Sequence, residues 1–271
     1  MGTWGPGLYS NDISEDVKVT YMDQLRRGKS NEEIIETIIK EYAKEIEDEE
    51  DAINFWLALA DTQWKVGRLL PLVKEQALKY LESPRCIDKW IGTKELNKRK
   101  TVIVKLRNQL NSPMPPEKRI PQYRLYTCEW EIGDVFAYKF SEDYAKDKGY
   151  YGKSIVFVKV AEDTVHPGHI VPVVYLYKQI FDEDPSIDHL KDAEYMPQFY
   201  SPEAYQKNKS LRVCYKLALE SSSPKNIPTD RIKFLGKITS VNHPTNQDQL
   251  PYQTSWKGLE KYIINLDIMW K

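Results

Sequence analysis

The sequence predicts an α+β protein, in which an N-terminal helical bundle is followed by a small, mainly antiparallel β-barrel or curved sheet with a C-terminal helix. Apolar residues recur at helical spacing in the first part of the chain, whereas short β-branched runs between turn residues fill the second. Tyrosine divides in the same way, with 4 of 18 in residues 1–121 and 14 in 122–271. We expect a helical domain over 1–112, a Pro-rich linker over 113–121 and a β-rich domain over 122–271.

The helices of the first part are predicted from their caps and apolar stripes. Asp12 with Glu15 predicts a capping box for a helix that ends near Arg27. Ser30 with Glu33 repeats that pattern in front of an isoleucine stripe. The stripes predict helices over 12–27, 30–46, 51–66, 71–81 and 95–111. The ordinary role of these apolar faces is to pack a core.

The segment between the two parts contains four prolines in residues 113–121. Each proline fixes φ and removes a backbone donor, so the segment cannot lie inside a helix or a central strand. We interpret it as an extended linker or as a strap along the surface.

The second part is predicted to form strands, with a polar loop over 161–170 and a C-terminal helix over 256–266. The runs rich in β-branched and aromatic residues are 123–130, 135–140, 154–160, 171–177, 211–219 and 232–238. Several short strands with turn residues between them are typical of a curved sheet or a small barrel.

Composition excludes several classes of protein. The chain has 39 Lys and Arg against 40 Asp and Glu, which excludes nucleic-acid binding by bulk positive charge. No apolar run reaches the ~20 residues that span a bilayer, so no membrane partner is expected. The first residues show no secretion signal, and three cysteines are too few for a disulfide framework. These features favour a reduced, cytoplasmic setting without a cofactor.

The chain begins with an unusual run, Met1-Gly2-Thr3-Trp4-Gly5-Pro6-Gly7. We expect Trp4 to insert into the helical core while the glycines let the chain double back. The functional alternative is an anion-binding loop in front of a helix. It is disfavoured because no Lys, Ser or Thr stands at phosphate-loop spacing and Asp12 would repel an anion.

The same run, followed by Asn11 and Asp12, resembles the opening of a bacterial (Firmicutes) family of unknown function whose members begin Met-Gly-Thr/Ala-Trp-Gly-x-Gly and continue to Asn-Asp. The stretches 55–64 and 128–138 also resemble proteins that share this opening. Within the second stretch, the Gly-Asp-Val-Phe-Ala strand at 133–137 is similar to predicted toxin-immunity proteins. The resemblance implies no known reaction, and the association with toxin immunity is an analogy from this short motif.

Charge is segregated although its sum is near zero. Residues 29–61 hold 11 acidic and 3 basic groups, and residues 85–119 hold 10 basic and 3 acidic groups. These stretches either attract each other across the bundle or form a surface that docks a partner. The candidate partner-binding residues are Glu45, Glu47, Asp48, Glu49, Glu50, Asp51, Lys98, Arg99 and Lys100.

Two further sets of residues are candidates for ligand binding. Tyr150 and Tyr151 lie among lysines, a pattern that together with the basic 85–119 stretch suggests contact with RNA or DNA. His166 and His169 stand at i, i+3 spacing and could hold a metal if a nearby carboxylate joined them. The alternative for the histidine pair is a hairpin connection with partly exposed rings.

No nucleophile elbow, HExxH helix or dinucleotide fingerprint occurs in the sequence. We therefore predict a non-enzymatic protein-binding module that acts by surface complementarity, possible roles being toxin immunity or another defence function. The alternatives left open are a nucleic-acid contact protein using 85–119 and a metal-dependent enzyme centred on His166 and His169.

Overall fold

A computed structural model describes residues 2–198 and 201–271, with only the backbone of Tyr205. Met1 of the N-terminal motif lies outside the described residues. The chain divides into two compact units, residues 1–123 and residues 124–271, which are treated separately below. In the described ranges, no helix is long and apolar enough to cross a membrane.

The first unit is helical, in agreement with the predicted fold class. Its helices are α1 (Asp12–Arg26), α2 (Asn31–Glu41), α3 (Ala43–Glu47), α4 (Glu49–Lys65), α5 (Pro71–Glu82), α6 (Arg85–Asp88) and α7 (Leu96–Asn111).

Helix α4 is the centre of this unit, since every residue from 52 to 63 is buried. Apolar side chains from α1, α2, α5 and α7 surround it. Its buried carboxylate, Asp61, accepts hydrogen bonds from the Tyr9 hydroxyl at 2.6 Å and the Gln109 amide at 2.7 Å, and pairs with Lys65 at 2.6 Å. The buried carboxylate of the central helix is therefore compensated within the unit.

The structure confirms one helix cap and corrects another. Ser30 and Glu33 form the predicted capping box at the start of α2. For α1 the cap is Asn11, whose side chain accepts the backbone N–H of Ser14 at 2.8 Å. Asp12 is the first helical residue, where its negative charge suits the helix dipole.

The Pro-rich segment 113–121 is a strap on the first unit. The Lys118 N–H donates to the Val66 carbonyl at 2.9 Å. Gly67 has φ +71°, and a Cβ placed there would lie 2.5 Å from the Pro116 carbonyl oxygen. The strap can approach this closely because residue 67 has no side chain.

The second unit contains an open six-stranded sheet, so the barrel alternative is excluded and the curved-sheet alternative applies. Its strands are β1 (Asp134–Lys139), β2 (Ser154–Val165), β3 (His169–Phe181), β4 (Lys216–Glu220), β5 (Ile232–Lys237) and β6 (Tyr252–Ser255). Their order is β5-β1-β2-β3-β4-β6, and all pairs are antiparallel except β4 with β6. The helices are α8 (Asp143–Lys148), α9 (Pro202–Lys207) and the predicted C-terminal helix, α10 (Trp256–Trp270).

Both faces of the sheet are buried, but by different means. On one face, apolar residues of β1 to β4 pack under α8 and α10; we call it the helix-covered face. On the other face, residues of the same strands pack under segments outside the strands, among them 187–195 and 238–241; we call it the loop-covered face.

Two sequence predictions for this unit are wrong. Residues 123–130 form no strand, and only Thr127 bridges to Ile170 of β3. The predicted loop over 161–170 is mostly strand, because β2 continues to Val165 and β3 begins at His169. Here β2 and β3 extend beyond the rest of the sheet as a two-stranded hairpin, and the residues of β2 alternate between exposed and half-buried positions. The polar composition of this hairpin is like that of a loop, although its backbone is paired.

Candidate binding cleft

An open cleft of about 1080 Å³ lies in the second unit. Most of its apolar wall belongs to the loop-covered face. Five aromatic side chains line it: Tyr177, Tyr195, Tyr215, His243 and Trp270. Aromatic rings supply large, rigid contact area, so a cleft lined in this way is suited to binding.

The floor of the cleft is built where a loop segment pairs with β3. The Lys178 N–H donates to the Glu194 carbonyl at 2.7 Å, and the segment runs antiparallel to the strand there. This pairing brings the rings of Tyr177 and Tyr195 to 5.0 Å between centroids. Tyr177 is buried, whereas Tyr195 is half-buried and contributes surface to the cleft.

A fully buried tyrosine, Tyr175, holds the segment that carries His243. The Tyr175 hydroxyl donates to the Gln247 side-chain oxygen at 2.9 Å and lies 3.1 Å from Nδ1 of His243. The Trp270 indole N–H donates to the Pro197 carbonyl at 3.0 Å. Both the loop that carries His243 and the end of α10 are thus tied to the body of the unit.

The electrostatics of the cleft are mixed. The lining carries both signs of charge, with Lys178, Lys191, Lys209, Asp192 and Glu194 all exposed. Burial is the largest cause that raises the pKa values of Tyr177 and Tyr195, so both phenols are neutral at physiological pH. Neutral hydroxyl, amide and ring surfaces with interspersed charges can bind polar and apolar groups together.

None of the residues singled out from the sequence lines this cleft. Asp48 caps α4 by accepting the Asp51 N–H at 3.0 Å. Glu49 pairs with Arg85, and Glu50 pairs with Lys89. Glu45 and Asp51 are half-buried, and Glu47 is exposed. Part of the acidic stretch is therefore engaged with the basic stretch inside the first unit, as one of the two interpretations expected.

The three basic candidates differ in environment. Lys98 is exposed and pairs with Glu95 at 3.1 Å, and Lys100 is exposed. Arg99 is only 5% exposed and donates from Nε to the Cys86 carbonyl at 3.1 Å. This stretch accordingly does not form a continuous basic surface.

Tyr150 and Tyr151 are adjacent but lie in opposite environments. Tyr150 is buried on the helix-covered face and donates to Asp267 of α10 at 2.6 Å. Tyr151 is 55% exposed, with the Lys146 ammonium 5.0 Å from its ring centroid.

The histidine pair flanks the turn of the β2–β3 hairpin. Nδ1 of His169 accepts the Tyr126 N–H at 2.9 Å, which holds the preceding segment against β3. Among the described residues, no group of three or more His, Cys, Asp or Glu is arranged to hold a metal ion. A metal at His166 and His169 would therefore lack a third protein ligand from these residues.

Sequence reasoning missed the cleft because its aromatic residues come from β3, three connecting segments and the last turn of α10. The only indication in the sequence was the enrichment of tyrosine after residue 121, and these tyrosines do not recur at a spacing that would group them in one site. Comparison with known protein families, with curated proteins and with solved structures found no match for this chain.

Proposed function

We propose that this chain is a non-enzymatic protein-binding module and that the cleft of the second unit is its docking site. The observation that carries the proposal is the open, aromatic-lined cleft of about 1080 Å³. That volume lies just above the roughly 300–1,000 Å³ range of small-molecule pockets. Its tyrosine and tryptophan side chains are types that protein interfaces favour.

A specific form of the proposal is toxin immunity or another defence function in the bacterial cytoplasm. Its support is the similarity of the Gly-Asp-Val-Phe-Ala strand at 133–137 to predicted toxin-immunity proteins. The three buried cysteines, none in a disulfide, are compatible with a reducing compartment.

Site-specific photocrosslinking in cells of the source organism tests the docking site. p-Benzoylphenylalanine placed at Ser240 or Thr245, two exposed positions of the cleft, should give a discrete protein adduct. The same group at Tyr151, which is exposed and outside the cleft, should not give that adduct. Equal adducts at all three positions would contradict the proposal.

The partner identified in this way is then purified and its affinity measured by calorimetry. Tyr195→Ala should weaken binding by 10-fold or more, because aromatic residues at the centre of an interface carry much of the binding energy. If the partner alone stops cell growth, co-expression of the wild-type chain should restore growth and Tyr195→Ala should not. Unchanged affinity of the variant would remove the cleft as the docking site.

A further inference from the structure

A small pocket in the first unit adjoins a buried cation, and we propose that this pocket binds a carboxylate group. The pocket has a volume of about 30 Å³. Its lining brings the glycine-containing N-terminal loop, through Gly5 and Gly7, together with Asn54 of α4 and Arg99 of α7. The site is independent of the cleft in the second unit.

Arg99 is a buried charge without a charged partner. Its side chain is 5% exposed and donates to two backbone carbonyls, those of Cys86 at 3.1 Å and Pro6 at 3.4 Å. No carboxylate of the described residues lies within 4.0 Å of its guanidinium, and burial lowers the pKa of Arg99. A buried charge is costly unless an opposite charge compensates it, so an anion in this pocket would be stabilised.

A second polar side chain at the pocket also lacks a partner. Asn54 is 9% exposed, and its side-chain amide makes no hydrogen bond to any residue that the structure describes. Neither of its side-chain polar atoms is sealed from solvent, so both are accessible from the pocket that Asn54 lines. The NH₂ group can donate two hydrogen bonds, so Asn54 and Arg99 together offer donors to one ligand.

The acidic residues near the pocket are already engaged. Glu50 lines the pocket but pairs with Lys89, and Arg85 on the same wall pairs with Glu49. Asp12, the residue expected to repel an anion, accepts the Gly2 N–H at 2.7 Å. Glu50 therefore acts on Arg99 only from a distance, and Arg99 has no ion-pair partner among these groups.

The pocket has room for a small anionic group. A water needs about 10–15 Å³ of such volume, so 30 Å³ holds about two water-sized atoms, such as the two oxygens of a carboxylate. A carboxylate has two oxygens in a plane, which matches the geometry of a guanidinium. The remainder of the molecule would lie outside, beside Trp90 at the edge of the lining.

Acetate titration of the full, ¹⁵N-labelled chain tests the site. Saturable shifts of the Asn54 side-chain NH₂ and the Gly5 and Gly7 amides are expected with sodium acetate and not with sodium chloride at the same ionic strength. Asn54→Asp supplies a carboxylate inside the pocket and should abolish the response. Asn97→Asp adds the same charge at an exposed position of α7 and should leave it intact.

Thermal unfolding shows whether each variant is folded, and Asn54→Leu removes the donors without adding charge if Asn54→Asp does not fold. Acetate shifts that match those of chloride, or that persist in either folded Asn54 variant, would overturn the proposal.

Trialanine with a free or an amidated C-terminus distinguishes the two sources of a carboxylate. Saturation by the free acid at a lower concentration than acetate identifies a peptide chain end, and the reverse order identifies a small organic acid. Either order supports a carboxylate site. Equal binding of the amidated peptide and the free acid argues against one.

Discussion

The two faces of the sheet in the second unit show how the same strands can support stability on one side and binding on the other. On the helix-covered face, α10 places Leu259, Ile263 and Ile264 against the sheet and leaves each of them fully buried. On the loop-covered face, the segments that cover the strands leave a cleft of about 1080 Å³. A helix covers a flat face evenly because its side chains recur at fixed spacing, whereas loops follow their own backbone pairing and leave space.

The largest loss of stability is expected when Glu260, on the helix-covered face, is replaced. This carboxylate is fully buried and accepts the N–H groups of Ser141 at 3.1 Å and Glu142 at 2.7 Å. Glu260→Ala leaves both donors without a partner, so we expect a loss of about 3 kcal/mol in the free energy of unfolding. Urea denaturation measures it.

Asn265→Ala is the matched control on the same helix, because Asn265 is exposed and should cost less than about 1 kcal/mol. Equal losses for the two variants would show that the helix-covered face does not depend on its buried carboxylate.

The next largest loss of stability is expected for one of two adjacent tyrosines, Tyr150 and not Tyr151. Tyr150→Phe removes the hydroxyl that donates to the buried Asp267 at 2.6 Å, with an expected cost of about 1.5–2 kcal/mol. Tyr151→Phe removes a hydroxyl from an exposed ring and should change stability by less than about 0.5 kcal/mol. Thermal and urea unfolding of both variants give the difference, and a reversed order would contradict the assigned contacts.

A smaller loss of stability is expected when Tyr175, on the loop-covered face, is replaced. Tyr175→Phe removes the hydroxyl that holds Gln247 and His243, at a cost of about 1 kcal/mol. Amide exchange of residues 240–247 should become faster, while exchange of 259–266 in α10 should stay as in the wild type, because the lost bond ties only the loop. Faster exchange in both segments would mean that the two faces open together.

The smallest change in stability is expected for Glu194, which lines the cleft. Glu194→Gln removes an exposed charge and should leave the free energy of unfolding within about 0.5 kcal/mol of the wild type, as measured in urea. Exposed charges contribute little to stability, so the charge of Glu194 can be removed without loss of the fold. A loss above 1 kcal/mol would assign Glu194 a structural role and weaken the contrast between the faces.

Local patterns predicted much of the fold. Ser30 with Glu33, the isoleucine stripe of α2 and the β-branched runs of β2 and β3 depend on neighbours in sequence, and the structure has all of them. The prediction of a strand at 123–130 was wrong for a tertiary reason. That segment has strand-like residues, but it pairs with β3 only through an isolated bridge. Trp4, expected in the core, is 63% exposed, although the chain does double back, with the Trp4 N–H donating to the Ser10 carbonyl at 3.0 Å.

The sequence by itself determined the α+β class, the helical and strand-rich parts and most element positions, because each depends on periodicity and on capping or turn residues close in the chain. Only the tertiary structure decided that Arg99 is buried beside Asn54 and that Tyr177, Tyr195 and Trp270 line one cleft. Those groupings join residues that are tens of positions apart, and no spacing rule relates them. Burial and proximity arise when distant elements pack, which is why both candidate sites became visible only in three dimensions.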